Sequence, residues 1–309
     1  MIRTESLTKF YGTRCAVRDL SVSIADHEIV GFLGLNGAGK TTALRMLAGL
    51  LAPSSGKIEV EGRDLGGEHA EDVRWRIGFL PDRPPLYDDM TVRGYLAFAA
   101  QLRGFDEAKV PRRVDEVLEL TSLGQYADEV ISHLSHGYRQ RAGIAQAVIH
   151  DPALVILDEP TSGLDPVQIL EMRKLIRDLK AQHTVLLSSH NLPEISQTCD
   201  RLLVIRDGQL VATGSEADLS HKLGSGAKVE LELVGGGEAV EAALAKAKAA
   251  NLISAYGKEQ KDGAWQVQAT LQTGPEVLAK ACIEGGLGLR RLQPLATELE
   301  SLFLELTKA

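Results

Sequence analysis

A cluster of glycines, one lysine and two hydroxyls sets the first chemical possibility in this chain. In Gly34-Leu35-Asn36-Gly37-Ala38-Gly39-Lys40-Thr41-Thr42 the glycines let the backbone turn so that successive N–H groups converge on an anion. A helix opening there adds the positive end of its dipole. A polyphosphate suits that cradle: Lys40 bridges β- and γ-phosphates, and the Thr41 hydroxyl is placed for Mg2+. This is P-loop chemistry, with Gly34, Asn36, Gly37, Ala38, Gly39, Lys40, Thr41 and Thr42 as its binding residues. The second possibility lies at Leu157-Asp158-Glu159-Pro160. Beside a P-loop, Asp158 can hold Mg2+ directly or through water, and Glu159 can polarise the attacking water. Standing alone, the same four residues are an acidic turn after a strand. Together the two blocks imply binding and hydrolysis of ATP.

Such residues need strands and helices to deliver them. An apolar strand over 28–33 leads into the glycine loop, and a helix over 41–50 leaves it, with Leu44, Met46 and Leu47 apolar and Pro53-Ser54-Ser55-Gly56 as its stop. Residues 153–157 and 184–187 are continuous apolar runs, as buried parallel strands require. Pro166 opens a further helix in which Leu170, Ile176 and Leu179 supply the apolar periodicity. From about 82 to 150 the pattern turns helical. Thr91 can cap a helix bearing Val92, Tyr95, Leu96 and Ala99, another follows Asp106, and a third begins near Tyr138. Residues 201–211 read as a hairpin turning at Asp207-Gly208. The expected fold class is therefore α/β, a P-loop NTPase core over 1–223 with a helical subdomain at about 82–150.

A boundary is expected near Gly224-Ser225-Gly226, giving a second domain over 224–309. Val229, Leu231 and Leu233 alternate with Glu230 and Glu232, and Trp265, Val267, Ala269 and Leu271 alternate again. An Ala/Lys/Glu helix follows Gly235-Gly236-Gly237, and another starts at Pro275 before a strand at 287–292. This β-α-β-β-α-β order indicates a small α+β, ferredoxin-like domain, accessory or dimerising. A capping box at Thr297-Glu298-Leu299-Glu300 opens a terminal helix with Leu299, Leu302, Phe303 and Leu306 on one face. That face packs either on its own sheet or on a partner subunit.

Composition bounds the function. With 309 residues, 44% hydrophobic, the chain has core material for two domains. The balance of 34 Lys+Arg against 42 Asp+Glu gives a net charge of -8, which speaks against a general nucleic-acid binder. Three scattered cysteines, Cys15, Cys199 and Cys282, fit a reducing compartment rather than a disulfide framework. No run approaches the roughly 20 apolar residues of a membrane span. A membrane role then needs another chain to supply the span.

Four further blocks fall in order around the first two, and with them a resemblance emerges. Leu134-Ser135-His136-Gly137-Tyr138 resembles the signature motif of ATP-binding cassette (ABC) ATPases, Gly163-Leu164-Asp165 their D-loop, and His190 their switch histidine. The resemblance covers about 1–215. Leu80-Pro81-Asp82-Arg83-Pro84-Pro85-Leu86-Tyr87 and Gly137-Tyr138-Arg139-Gln140-Arg141 are similar to bacterial exporter-type cassettes, including the gliding-motility-associated ATPases. By this resemblance Tyr11 stacks on adenine, with Phe10 as the competing stacker; such stacking is worth roughly 1–3 kcal/mol per base. It also implies that Ser135 and Gly137 meet the γ-phosphate from the opposite subunit. Asp165 joins the nucleotide-contacting set, and His190 contacts γ-phosphate and attacking water, making Glu159, His190 and Lys40 the catalytic group.

Two blocks depart from the family pattern. His136 replaces a glycine and Tyr138 a glutamine, while Ser135 and Gly137 remain. Asp82 stands where the family commonly has a glutamine that touches Mg2+ or water. Its carboxylate is a stronger Mg2+ ligand than an amide but cannot donate a hydrogen bond. The expected metal set is Thr41, Asp82 and Asp158.

A signature motif that meets ATP across an interface cannot serve its own P-loop, so the resemblance implies a homodimer closed by ATP. The expected function is the ATPase subunit of an ABC exporter on the cytoplasmic face of the membrane, with ATP and Mg2+ as cofactors. A separate transmembrane permease is its partner and nucleic acid is not. The helical insertion and the loop Arg83–Met90 would grip that permease, or the loop is a plain surface turn. The alternative is a soluble ABC ATPase acting on nucleic acid, ribosomes or cofactor assembly.

Overall fold

A computed structural model describes residues 2–216, 218–219, 228–261 and 263–294, and the chain divides into two compact units, Met1–Ser215 and Glu216–Ala309. The centre of the first unit is a six-stranded sheet. Its spatial order is Gln209–Gly214, Arg201–Arg206, Ile29–Leu33, Thr184–Ser189, Leu154–Leu157, Ile77–Leu80. Neighbouring strands from Arg201–Arg206 to Ile77–Leu80 run parallel. Ile29–Leu33 and Leu154–Leu157 are buried at every residue, which is why their sequences are unbroken apolar runs. The hairpin at the sheet edge closes at Asp207-Gly208, both with positive φ as a tight turn demands.

Sequence periodicity missed a second sheet. Ile2–Tyr11 pairs antiparallel with Arg14–Leu20, Ser23–Ile24 and Ser55–Val60, and Ser55–Val60 with Arg63–Asp64. This sheet carries Tyr11 toward the glycine loop. The helix leaving that loop spans Lys40–Leu47, shorter than the expected 41–50. Gly49, at φ +71°, follows its end and Leu50 is exposed, so the stop precedes Pro53.

The helical segment comprises Val92–Leu102, Val110–Leu120 and His136–Val148. Thr91 Oγ1 accepts from the Gly94 N–H and caps the first of them. Asp165 caps the helix Pro166–Leu179 with bonds from the Val167 and Gln168 N–H groups, both 2.9 Å. Met172, Leu175, Ile176 and Leu179 form its buried face. Leu170 does not: it is 63% exposed, opposite the core, because the stripe set by Met172 and Ile176 places it about 140° away.

The second unit places its strands in the order Ile253–Lys261, Ala264–Leu271, Lys228–Val234, Gly288–Pro294, all antiparallel. Helices Gly237–Ala249 and Pro275–Glu284 complete the β-α-β-β-α-β order of a ferredoxin-like fold. Val229, Leu231 and Leu233 pack with Val267 and Ala269 on the buried face, together with Val240, Leu244 and Leu278 from the helices. The expected boundary at Gly224–Gly226 and the terminal helix with Leu299 and Leu306 lie outside the described residues.

Candidate nucleotide-binding site

In a parallel sheet of this kind the ligand crevice lies beyond the carboxyl ends of the strands. Register fixes which residues meet there. Leu33 pairs with Ser189, Leu157 with Leu187, and Leu80 with Leu157. The glycine loop, His190, Asp158 and Asp82 follow these strands, so four sequence-distant segments emerge together at their carboxyl ends. They line a cavity of about 610 Å³ together with Tyr11, Asn36, Gly37, Gly39, Thr41, Thr42 and Glu159. Tyr11 is half exposed and lines this cavity, whereas Phe10, equally exposed, does not.

The glycine loop is held by backbone geometry. Gly39, at φ +103°, is the N-cap of Lys40–Leu47, and a Cβ there would sit 2.4 Å from the Ala16 carbonyl oxygen. Its helix has no side-chain cap, which leaves first-turn N–H groups directed at the cavity. Gly34 and Ala38 do not line the cavity; they brace it. The Gly34 carbonyl accepts from Lys40 Nζ at 2.7 Å, and the Ala38 carbonyl accepts from the Gly208 N–H. Lys40 is buried and its Nζ lies 3.3 Å from Glu159 Oε1.

Glu159 is the hub of the acidic side. Its second oxygen, Oε2, lies 2.9 Å from His190 Nδ1. The residue itself sits at φ +49°, a left-handed conformation that a non-glycine adopts at a cost. Asp158 is 2% exposed, and its Oδ1 accepts from Ser188 Oγ at 2.6 Å. The same Ser188 oxygen accepts from the Glu159 N–H at 2.9 Å. Ser188 thus orients both carboxylate residues, a role the sequence reading missed. A hydroxyl at the end of a buried strand neighbouring the Asp158 strand was its signal. Ser162 also lines the cavity, and Glu194 braces the next turn by accepting from Thr161 Oγ1 at 2.6 Å and Asn191 Nδ2 at 2.8 Å.

Ser135, Gly137 and Asp165 do not line this cavity. Ser135 is exposed at the N-cap of His136–Val148, and Gly137 is buried against Gln168, where a Cβ would meet the amide at 2.8 Å. Asp165 spends its carboxylate on the helix cap already described. Tyr138 packs on Tyr126 with ring centroids 4.1 Å apart, and their hydroxyl contact holds the Tyr138 phenol above its usual range. Gln140 donates to the Asp82 carbonyl at 3.3 Å, tying that loop to the helical segment.

The chain is similar to known proteins in sequence and in fold. Residues 17–162 match the family model described as ABC transporter. Bacitracin transport ATP-binding protein BcrA of Bacillus licheniformis is 42% identical over 213 residues, covering 68% of this chain and 68% of that protein. Linearmycin resistance ATP-binding protein LnrL of Bacillus subtilis (strain 168) is 32% identical over 311 residues, 99% of this chain and 98% of that protein. A solved structure, the ATP binding subunit of an ABC transporter, superposes with a TM-score of 0.65 at 30% identity, covering 72% of this chain and 93% of that one. With a P-loop, an aspartate–glutamate pair and a histidine gathered at the carboxyl ends of the central strands, the chain belongs to the ABC transporter family as one of its ATP-binding, ATP-hydrolysing subunits.

Proposed function

We propose that this subunit powers an exporter: two copies close on ATP, and hydrolysis opens them again while a separate membrane permease follows the motion. The observation that carries the dimer is the division of the site. The P-loop, Asp158, Glu159 and His190 line one cavity, while Ser135 stands outside it and exposed. A second copy supplies what each cavity lacks, Ser135 and Gly137 reaching the γ-phosphate from across the interface.

Within each cavity, phosphate oxygens compete with Glu159 for the Lys40 ammonium, and the first-turn N–H groups take up the remaining charge. Glu159, released from Lys40 but still joined to His190, accepts the proton of the attacking water. Tyr11 stacks on the base. The oxygen donors Thr41, Asp82 and Asp158 suit Mg2+, which prefers one or two carboxylates plus phosphate oxygens, and Asp158 keeps an oxygen that Ser188 does not bond. Held by these donors, the ion would supply positive charge to offset that of the phosphates.

Docking on the permease is supported by an exposed aromatic groove over the helical segment. Trp75, Tyr87, Phe98, Leu102 and Arg103 line it, with Pro85 at its lip. Tyr95 donates to the Pro85 carbonyl at 3.0 Å, and burial pushes its phenol up to about 12, so the anchor stays protonated. Among the described residues no helix is long and apolar enough to cross a membrane. We place the subunit on the cytoplasmic face, and the bacitracin transport and linearmycin resistance in the names of BcrA and LnrL support the export reading. Purification of the tagged chain from its native membrane tests this: a polytopic membrane protein should co-purify and should be lost on Tyr87→Asp. Recovery of ribosomes or nucleic acid instead would favour the soluble alternative.

A further inference from the structure

His136 stands where a glycine is usual, and its ring has a definite partner. Nε2 lies 2.9 Å from the Ser162 carbonyl oxygen and 3.2 Å from where a Gly163 Cβ would stand. A carbonyl only accepts, so Nε2 carries the proton and donates. Ser162 is not a neutral anchor. Its residue lines the nucleotide cavity, and its N–H donates to the Glu159 carbonyl at 3.1 Å, closing a tight turn. One hydrogen bond and one turn therefore connect His136 to the backbone of the proposed general base. Glu159 needs that support, being held at φ +49°.

A second contact runs alongside. Gly137 abuts the Gln168 side chain so closely that a Cβ would meet it at 2.8 Å, and Gln168 lies in the first turn of the helix that Asp165 caps. The segment Ser135–Gly137 is thus joined within one chain to the turn 159–162 through His136 and to the helix that follows it through Gly137. The proposed dimer places Ser135 at the partner's nucleotide, whereas Ser162 and Glu159 line the chain's own.

We propose that His136 is a positioning residue for hydrolysis: its Nε2–H bond to the Ser162 carbonyl holds the Glu159 turn in register and ties it to the segment that engages the partner's nucleotide. The inference rests on the ATPase reading above and deepens it. A glycine at 136 has no such bond, so the imidazole is an added strut rather than a binding group.

The test is steady-state ATP turnover of the full chain, with equilibrium binding of a fluorescent ATP analogue, for His136→Ala, His136→Phe and His136→Gln. Loss of one neutral hydrogen bond predicts kcat roughly five- to tenfold lower in the alanine and phenylalanine variants. KM and analogue affinity should stay within about twofold, because the imidazole is engaged by the Ser162 carbonyl rather than by nucleotide. The amide introduced by His136→Gln should restore at least half of kcat by donating to the same carbonyl. Unchanged kcat in His136→Ala overturns the proposal. So does a glutamine variant as slow as alanine, or a fall in analogue affinity that accounts for the whole loss. Wild-type turnover that Glu159→Gln leaves intact would instead overturn the ATPase assignment of Glu159, which separates the two failures.

Discussion

Glu159 Oε2 lies 2.9 Å from His190 Nδ1, joining the carboxylate after one strand to the imidazole after its neighbour. The contact orients the carboxylate while its other oxygen faces Lys40 Nζ at 3.3 Å. The proposed base, held between a histidine and a lysine, is poised but not free, and phosphate is the natural competitor for the lysine. Glu159→Gln should therefore bind ATP, hydrolyse it at least about 100-fold more slowly, and accumulate as an ATP-bound dimer on size exclusion. His190→Ala should slow turnover by a similar order while leaving nucleotide affinity within a few-fold. Full turnover in the glutamine variant would remove Glu159 from the base role.

Ser188 gives the second prediction. It is fully buried, donates to Asp158 and accepts from the Glu159 backbone. Ser188→Ala leaves one buried carboxylate oxygen and one N–H without this partner, at a cost of about 1–3 kcal/mol. We expect kcat/KM for MgATP to fall about tenfold or more, with a lower thermal midpoint. Ser188→Thr keeps the hydroxyl and should recover most of both. Equal loss in the two variants would show that strand packing, not the hydroxyl, is responsible.

These residues explain what was legible in the sequence. Gly34 to Thr42 and Asp158-Glu159 announce themselves because their chemistry is local: glycines for a turn, a lysine for phosphate, carboxylates after an apolar strand. Ser188 and Ser162 do not, since each acts only through the register of neighbouring strands or the closure of a turn. The six-stranded sheet was readable from apolar runs such as 153–157. The antiparallel sheet around Ile2–Tyr11 was not, because its strands carry irregular registers at Leu7/Lys9 and Glu5/Thr8 that break the alternation. Leu170 misled for a related reason. Apolar spacing alone cannot distinguish a side chain facing its own core from one facing outward.

That outward face carries the third prediction. Val167 and Leu170 are 66% and 63% exposed, three residues apart on the helix opened by Asp165, on the side away from Met172 and Ile176. We expect this stripe to be covered when two copies close. Val167→Asp in a Glu159→Gln background should weaken ATP-dependent dimerisation about tenfold or more, because a carboxylate would be desolvated in the contact. Binding of nucleotide to the single chain should be unchanged, as neither residue lines the cavity. Dimerisation at wild-type strength would place the interface elsewhere.

The fourth prediction concerns acid. His150 follows the helix His136–Val148, its Nε2 donates to the Ile77 carbonyl at 3.2 Å, and its Nδ1 is buried with no hydrogen-bond partner. Burial, with Arg103 nearby, pushes its pKa down to about 4, and burial likewise lowers that of His183. An unfolded histidine titrates near 6.5, so between about pH 6.5 and 4 the unfolded chain binds a proton that folded His150 refuses. The stability tied to neutral His150 is therefore complete above pH 6.5 and is lost as pH falls toward 4. From pH 6.5 to 5 this amounts to about 2 kcal/mol for one such group. His150→Gln keeps an amide donor for the Ile77 carbonyl and cannot titrate. Its urea midpoint should fall less steeply than that of wild type between pH 7.5 and 5, with a residual slope from His183. Parallel pH profiles for the two proteins would show that His150 is as readily protonated in the fold as outside it.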